Sequence, residues 1–144
     1  MKLAALHFEE LSTRQLYEIL RSRAEIFLLR QGIVCQDLDG VDYESLHCFF
    51  EDNGRVVAYL RAYLTDAGEV RIGRVLSLTH GIGLGSRLMK ESLCEIKRKW
   101  AHAPITLHAQ TQARGFYEKL GFVASSPVFL EEGVEHITMI LKNQ

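Results

Sequence analysis

The sequence predicts an α/β (α+β) fold: a mixed, mostly antiparallel sheet of about six to seven strands with helices on both faces. Strand-type and helix-type hydrophobic patterns follow one another in the order β-α-β-β-β-α-β-α-β-β. Short turn signals join the three central strands, which indicates an antiparallel meander. No repeat, low-complexity tract or linker interrupts the 144 residues. We therefore expect a single domain over residues 1–144.

The first part of the chain predicts a strand, a helix and a long loop. Residues 2–8 have strand-type composition. Ser12 and Gln15 form a capping-box pattern, and apolar residues recur at helical spacing up to about Leu29, so a helix is expected there. Periodicity then disappears over residues 30–46, which we call the acidic loop. A loop of roughly 15 residues is long enough to suggest a functional role.

A three-stranded meander and a long helix are predicted next. The strands span residues 47–52, 55–65 and 69–77, with turns at Asn53-Gly54 and Asp66-Ala67-Gly68. The helix, of about 18 residues, ends near His102. Its apolar positions are spaced to face the sheet: Leu84, Leu88, Leu93 and Ile96.

The last part of the chain predicts a short strand, a second helix and two more strands. Pro104 ends the long helix, and residues 105–109 form the short strand. The second helix runs from Thr111 or Gln112 to Leu120 and is closed by Gly121 in the left-handed conformation. The final strands are expected at residues 122–130 and 136–141, with the turn Glu131-Glu132-Gly133 between them.

Composition argues against several classes of protein. The net charge is −1, from 17 basic and 18 acidic residues, so no global charge attracts nucleic acid or a membrane surface. No apolar run approaches the roughly 20 residues that span a bilayer, and we expect no signal peptide in the first residues. The 3 cysteines contain no Cys-x-x-Cys pair and the 6 histidines are scattered singly, so we expect no metal site. This cysteine usage also indicates a reducing cytoplasm.

The chain is organised around the stretch from Val75 to Met89. Strand-type residues lead into a loop with glycines at alternate positions, Gly81, Gly83 and Gly85, and the loop opens into a helix. Glycine tolerates positive φ and lets successive backbone N–H groups turn inward. The first N–H groups of a helix have no partner of their own and carry the positive end of its dipole. Together these features predict a site for a phosphate or pyrophosphate.

Two other nucleotide loops fit this stretch less well. A P-loop ends in Gly-Lys-Ser/Thr, whereas this loop ends in Gly85-Ser86-Arg87. A dinucleotide fingerprint has the spacing Gly-x-Gly-x-x-Gly in an early strand–helix unit, whereas here the glycines alternate and follow a hairpin. A glycine-rich turn without a ligand is the remaining alternative.

The stretch resembles motif A of the GNAT superfamily of N-acetyltransferases, whose loop reads Arg/Gln-x-x-Gly-x-Gly/Ala. His80, Gly83 and Gly85 occupy its defining positions, with His80 in place of Arg or Gln. In that superfamily the backbone amides of the loop hold the pyrophosphate of acetyl-coenzyme A. The resemblance therefore implies cofactor binding by the strand end, the loop and the first helical turn: Val75, Leu76, Ser77, His80, Gly81, Ile82, Gly83, Leu84, Gly85, Ser86 and Arg87.

A second resemblance lies downstream. Residues 113–122 read Ala-Arg-Gly-Phe-Tyr-Glu-Lys-Leu-Gly-Phe and resemble GNAT motif B, Ala-x-x-Phe/Leu-Tyr-x-x-x-Gly-Phe. Tyr117 falls on the tyrosine that protonates the departing thiolate in many GNAT enzymes. Gln110 stands where that motif usually carries Asn and is expected to contact the pantetheine or the backbone nearby. Further segments resemble the ElaA-like branch, so that the resemblance covers most of the chain: 27–31, 37–42, 72–75 and 132–139.

The acetyl transfer that the resemblance implies needs a base, an oxyanion donor and an acid. An alkylammonium of pKa about 10.4 is only about one part in 10³ neutral at pH 7, so a positioned base raises the supply of free amine. His136 and the loop carboxylates Asp37, Asp39 and Asp42 are the candidate bases. A backbone N–H at the end of the Val75 strand is the candidate oxyanion donor.

A charged set is assigned to acceptor binding: Arg23, Asp37, Asp39, Asp42 and Arg74. The carboxylates would favour a cationic acceptor by Coulomb attraction, although each contributes little where it is exposed. The two arginines either line the acceptor pocket or pair with carboxylates, as partly buried arginines usually do.

The sequence therefore predicts an N-acetyltransferase that moves acetyl from acetyl-coenzyme A to a primary amine by direct attack in a ternary complex. The amine belongs to a small molecule, a lysine side chain or a protein N-terminus. Two alternatives from other classes stay open: a non-catalytic acyl-coenzyme A sensor and a general nucleotide-binding domain. An exposed sheet edge would support a homodimer.

Overall fold

The computed structural model describes residues 1–142, which contain eight strands and three α-helices. The strands are β1 Ala4–His7, β2 Leu46–Asp52, β3 Arg55–Leu64, β4 Val70–Ser77, β5 Ile105–Gln110, β6 Phe122–Ala124, β7 Phe129–Glu131 and β8 Val134–Leu141. The helices are α1 Thr13–Arg23, α2 Leu84–Lys99 and α3 Arg114–Lys119. A π-helical segment, Ala24–Arg30, continues α1, and 3₁₀ turns lie at Phe8–Glu10, Val41–Glu44 and Thr111–Ala113. Within residues 1–142, no helix combines the length and apolar character that crossing a membrane requires.

All eight strands belong to one sheet, in the spatial order β1-β2-β3-β4-β5-β8-β6, with β7 also paired to β8. Neighbouring strands run antiparallel, except for β4 and β5, which run parallel. The structure thus confirms the predicted α/β fold with its mixed, mostly antiparallel sheet.

The strand predicted at residues 122–130 is wrong as a single element. It consists of β6 and β7, which are separated by Ser125-Ser126-Pro127. Pro127 has no N–H to donate to a strand ladder, and Ser126 Oγ accepts a hydrogen bond from the Thr138 N–H at 2.9 Å. The two short strands therefore pair with different parts of β8.

The first helix begins where its capping box predicts. Ser12 Oγ accepts from the Gln15 N–H at 3.0 Å, and Gln15 Oε1 accepts from the Ser12 N–H at 2.9 Å. Regular α-helix ends at Arg23, and wider π-helical turns carry the chain on to Arg30. Nothing in the sequence pattern indicated this change of helix type, and such turns often occur at functional sites.

Helices cover both faces of the sheet. Successive side chains of a strand point to opposite faces, so each strand contributes to two cores. On β2, Phe49 packs with Ile19 of α1, whereas Cys48 and Phe50 belong to the core under α2. The four apolar positions predicted to face the sheet from α2 are all buried: Leu84, Leu88, Leu93 and Ile96.

The parallel strands β4 and β5 separate after three paired positions, the last of which joins Ile72 to Leu107. Beyond it, β4 stays paired to β3 as far as Ser77, and β5 stays paired to β8 as far as Gln110. The facing backbone edges of the two strands are therefore without a strand partner. This gap inside the sheet is where the candidate site lies.

A β-bulge in β4 marks the point of separation. Tyr59 pairs with Leu76 and Arg61 with Gly73, so that β4 has one residue more than β3 over this interval. Arg74 lies in the bulge with a φ of 55°. This left-handed conformation costs a non-glycine residue about 1–3 kcal/mol and persists only where the surroundings hold it.

Candidate active site

A cavity of about 650 Å³ opens in the gap between β4 and β5. Val75 lines it from β4 and Gln110 from β5, while Tyr117 of α3 and His136 of β8 line it from the far side. Phe27 contributes from the π-helical segment. The fold therefore brings together side chains from parts of the chain that lie far apart in sequence.

The glycine loop follows β4 directly and leads into α2. Gly81 and Gly83 have φ of 81° and 74°, and Gly83 caps the helix without a side-chain hydrogen bond. The first helical hydrogen bond runs from the Arg87 N–H to the Gly83 carbonyl at 3.0 Å, so the three N–H groups between them lack a helical partner. A Cβ placed on either glycine would meet no protein atom within 4 Å. The loop is therefore an open cradle of backbone donors at the positive end of a helix.

Arg87 does not belong to this cradle, which corrects its place among the predicted cofactor residues. Its N–H is used inside the helix. Its guanidinium bonds Glu91 Oε2 at 2.6 Å, donates to the Met1 carbonyl and lies 4.6 Å from the centre of the Phe50 ring. Both the backbone and the side chain of Arg87 are thus held by the protein.

The other predicted cofactor residues differ in whether their side chains are exposed or only their backbone is available to a ligand. The side chains of Leu76 and Leu84 are buried in the two cores, so these residues offer only backbone. Ser77 Oγ donates to the Thr79 carbonyl at 2.7 Å, which shapes the start of the loop. His80 and Ile82 are exposed.

Tyr117 lines the cavity, and its hydroxyl makes no hydrogen bond to any other described residue. The residue is 8% exposed, and its ring meets Phe116 and Phe122 edge-on, with centroids 5.1 and 6.0 Å away. Burial raises the pKa of Tyr117 above its usual range, so the hydroxyl keeps its proton at neutral pH. No partner for this hydroxyl is found within residues 1–142, so it can donate to a molecule in the cavity.

Gln110 connects two walls of the cavity. Its Nε2 donates to Gln31 Oε1 at 2.9 Å, which joins the end of β5 to the residue that follows the π-helical segment. Gln110 also lies opposite His136 in the β5–β8 ladder.

His136 is part of a cluster rather than an isolated histidine. Its Nδ1 lies 2.7 Å from the Val134 carbonyl and must donate to it, which leaves Nε2 as the accepting nitrogen of the neutral ring. Glu131 Oε2 lies 3.7 Å from that Nε2. The other oxygen of Glu131 lies 2.9 Å from His108 Nδ1. Phe129 packs beside both imidazoles, with centroids 5.1 Å from His108 and 6.2 Å from His136.

Sequence reasoning missed His108 and Glu131, although both line the cavity. They come from β5 and β7, which meet only through β8, and no spacing in the sequence reveals that pairing. One signal was present: His108 stands two residues before Gln110 and so shares its side of the strand. Within residues 1–142, no three His, Cys, Asp or Glu side chains are grouped to hold a metal ion.

The acidic loop is fastened to the protein by three arginines. Arg23 is fully buried, and its guanidinium bonds Asp37 Oδ2 at 3.0 Å and Asp42 Oδ1 at 2.7 Å. Arg61 bonds both oxygens of Asp39, at 2.8 and 2.7 Å, and Asp42 at 3.1 Å. Arg23 and Asp42 do not line the cavity, so both are removed from the proposed acceptor contacts.

Arg74 is held in its left-handed conformation by the same loop. Its Nε donates to Asp37 Oδ1 at 2.7 Å, and its terminal nitrogen donates to the Asp37 carbonyl at 3.0 Å. Arg74, Asp37 and Asp39 all line the cavity, but their charges are paired with one another. The loop therefore offers an acceptor much less negative charge than the sequence suggests.

The same pairing makes Asp39 and Asp42 weak bases. The hydrogen bond and charge of Arg61 lower the pKa of Asp39 to about 2. Burial alone would raise the pKa of Asp42, but the hydrogen bonds and charges of Arg23 and Arg61 hold it below its usual value. A base this weak accepts few protons near neutral pH, so neither carboxylate suits the role of proton acceptor.

The chain is similar to several known proteins over most of its length. Residues 36–143 match the family described as acetyltransferase (GNAT) domain. Protein ElaA of Escherichia coli K12 is 35% identical over 140 residues, which cover 93% of this chain and 92% of ElaA. The crystal structure of Escherichia coli ElaA superimposes with a TM-score of 0.92 at 32% identity and covers 99% of this chain and 100% of that one.

Two further structures extend the likeness. An acyl-CoA N-acyltransferase from Pseudomonas aeruginosa matches with a TM-score of 0.91 at 34% identity, covering 98% of this chain and 99% of that one. An aminoglycoside 6'-N-acetyltransferase complexed with coenzyme A matches with a TM-score of 0.70 at 11% identity, covering 97% and 96%, which is a likeness of fold alone. These matches agree with the split sheet and the open glycine cradle. The chain belongs to the GNAT family of acyl-CoA N-acyltransferases, in its ElaA-like branch.

Proposed function

We propose that this protein transfers the acetyl group of acetyl-coenzyme A to a primary amine, which attacks directly within a ternary complex. The gap between β4 and β5 carries the proposal. It brings an unpaired backbone edge, a tyrosine hydroxyl without a partner and two imidazoles into one cavity, with the glycine cradle at the end of β4.

The cradle suits the pyrophosphate of the donor. Three helical N–H groups point out of a helix end whose partial charge is positive, and the two glycines place no side chain in front of them. A hydrogen bond to a charged group contributes about 1.5–3 kcal/mol, so this contact alone supports useful affinity. The pantetheine amides would pair with the open edge of β4 near Val75 and reach Gln110.

The reacting thioester would lie beside Val75 and Tyr117. A backbone N–H at the end of the Val75 strand stabilises the oxyanion that forms when the amine adds to the carbonyl. Tyr117 donates a hydrogen bond to the departing sulfur. A thiol has a pKa near 8.5, well below that of a buried tyrosine, so Tyr117 stabilises the thiolate chiefly as a hydrogen-bond donor.

The amine needs a proton acceptor within the cavity. His136, the base nominated by the sequence, has an accepting Nε2 and lines the cavity together with His108. The acceptor is a primary amine on a small molecule, a lysine side chain or a protein N-terminus. Because the carboxylates of the acidic loop are paired with arginines, the shape of the cavity, more than their charge, would select among these amines.

Coenzyme A release across a panel of polyamines, aminoglycosides, amino acids and lysine peptides tests the proposal. With at least one amine, coenzyme A is expected to be released as free thiol and the amine to gain the mass of one acetyl group in place of a hydrogen. The alternative, a non-catalytic acyl-coenzyme A sensor, would bind coenzyme A by calorimetry yet release no thiol with any amine. Failure to bind coenzyme A at millimolar concentration would overturn both readings.

A further inference from the structure

The cluster around Glu131 assigns different roles to the two histidines of the cavity. His108 lies on β5, His136 on β8 and Glu131 at the end of β7, and the ladder of β8 with both other strands brings them together. Glu131 presents one oxygen to each imidazole, at 2.9 Å from His108 Nδ1 and 3.7 Å from His136 Nε2.

The contact with Glu131 orients the ring of His108. The hydrogen bond from His108 lowers the pKa of Glu131, so the carboxylate is ionised near neutral pH and can only accept. His108 Nδ1 must therefore carry the hydrogen, and Nε2 carries the lone pair. No partner for this Nε2 is found among the residues that the structure describes, and 27% of the side chain is exposed.

The surroundings of His136 differ in each of these respects. Its Nδ1–H is used by a main-chain carbonyl, its Nε2 faces a Glu131 oxygen instead of open space, and only 10% of its side chain is exposed. A proton taken up by His108 would be stabilised by a carboxylate already hydrogen-bonded to the opposite nitrogen, an arrangement that makes imidazole an effective base.

We propose that His108 is the general base of the acetyl transfer and that Glu131 is the residue that positions it; this inference rests on the proposed function. The amine nitrogen forms the C–N bond while the C–S bond breaks and its electron pair leaves on sulfur. His108 Nε2 takes one proton from the nitrogen and later returns it to solvent, while the thiolate, held by the hydrogen bond from Tyr117, takes a proton from solvent. The products are the acetamide and free coenzyme A, and no other reactant is consumed.

Other charged or titratable groups share the cavity and contribute to its pH dependence. They are Arg61 and Tyr63 on β3, Arg71 and Arg74 on β4, His136 on β8, Tyr117 on α3, Cys35, Asp37 and Asp39 of the acidic loop and Glu132 in the β7–β8 turn. Arg74 also acts on Glu131 by its charge. The test therefore compares variants that each change one member of the His108, Glu131 and His136 cluster and leave the remaining groups in place.

The matched variants are His108→Asn and His136→Asn. An asparagine amide can replace the Nδ1–H donor of either ring but offers no base at the Nε2 position. If a histidine only supports the structure, its asparagine variant should keep the activity. If it is the base, its asparagine variant should lose the activity. We expect His108→Asn to lower kcat by about 10²-fold or more with little change in KM for acetyl-coenzyme A. The fall in rate on the acidic side of the pH profile should disappear with it. His136 lines the same cavity, so His136→Asn can change the rate, but it should keep the acidic limb of the profile.

Glu131→Gln tests the positioning role. The amide oxygen can still accept from Nδ1–H, but the negative charge that stabilises the imidazolium is gone. Charged and neutral hydrogen bonds differ by about 1 kcal/mol, which corresponds to a rate loss of roughly fivefold, and the acidic limb should move to lower pH. Retention of the wild-type rate and profile by His108→Asn, or loss of the limb in His136→Asn instead, would overturn the inference.

A spectroscopic readout separates this inference from the proposed function. Long-range ¹H–¹⁵N spectra of the wild-type protein should show the neutral ring of His108 protonated on Nδ1 and bare on Nε2, and Glu131→Ala should release that preference. A wild-type protein that turns over no amine would refute the proposed function. A ring of His108 protonated on Nε2 would refute the dyad, whatever the activity.

Discussion

Substitution of Gly83 by valine tests the cradle most directly. Gly83 has a φ of 74°, and a Cβ there would meet no protein atom within 4 Å. The protein itself would therefore pay only the backbone strain of a left-handed non-glycine residue, about 1–3 kcal/mol. At roughly 2–4 °C per kcal/mol for a protein somewhat larger than this one, the melting temperature should fall by several degrees and the fold should persist.

The effect on binding should be much larger than the effect on folding. The new side chain fills the open space before the N–H groups, or strain turns those groups away. Loss of two hydrogen bonds to a charged pyrophosphate costs about 3–6 kcal/mol, at 1.5–3 kcal/mol each. Since 1.4 kcal/mol is a tenfold change in affinity, Kd for coenzyme A should rise by about 10²- to 10⁴-fold.

Gly68→Val is the matched control. Gly68 lies in the turn between β3 and β4 with a φ of 81°, and a Cβ there also meets nothing within 4 Å. The strain is the same, but no cradle is present. Calorimetric titration with coenzyme A and thermal melting should show similar losses of stability for both variants and weakened binding for Gly83→Val alone. Equal affinity of the two variants would refute the cradle.

Three further predictions concern catalysis and stability. Tyr117→Phe should lower kcat by about 10²-fold, since a proton or hydrogen-bond donor to the departing sulfur is removed, while calorimetry should show an unchanged Kd for coenzyme A. Arg23→Leu should lower the free energy of unfolding by about 3 kcal/mol in urea, the lower end of the cost of breaking a buried pair, because Asp42 keeps only Arg61 and Asp37 keeps only Arg74. Asp39 has a folded-state pKa of about 2 against an ordinary 3.8, so the stability it contributes is complete above pH 4 and is lost as the pH falls toward 2. In urea titrations over that range, Asp39→Asn should flatten the decline.

Each of these has a clear contrary result. A Tyr117→Phe enzyme with full turnover removes the hydroxyl from the mechanism. A loss of less than about 1 kcal/mol in Arg23→Leu, a value typical of exposed ion pairs, means that the loop network is not buried in solution. An acid decline that is equally steep in Asp39→Asn assigns it to other carboxylates.

Local sequence was enough to predict the conformation of the glycine loop, which we propose as the donor site. The alternate glycines, the strand before them and the helix after them specify the cradle through backbone conformation, which neighbours in sequence determine. Tyr117 followed from a motif contained in one short helix and its cap. The capping box at Ser12 and the buried stripe of α2 were likewise readable, because each depends on spacing within a single element.

The arrangement of side chains on the proposed acceptor side was decided by tertiary structure. The sequence suggests that the acidic loop attracts a cationic substrate. In the fold, three arginines from separate elements pair with the carboxylates of that loop and neutralise their charge: Arg23, Arg61 and Arg74. Pro127 splits a strand and so lets β7 carry Glu131 to the cavity. His108 looks unremarkable in sequence because the carboxylate that orients it lies 23 residues away along the chain. Sequence spacing encodes contacts within an element, whereas contacts between strands depend on their order in the sheet, and that order exists only once the chain has folded.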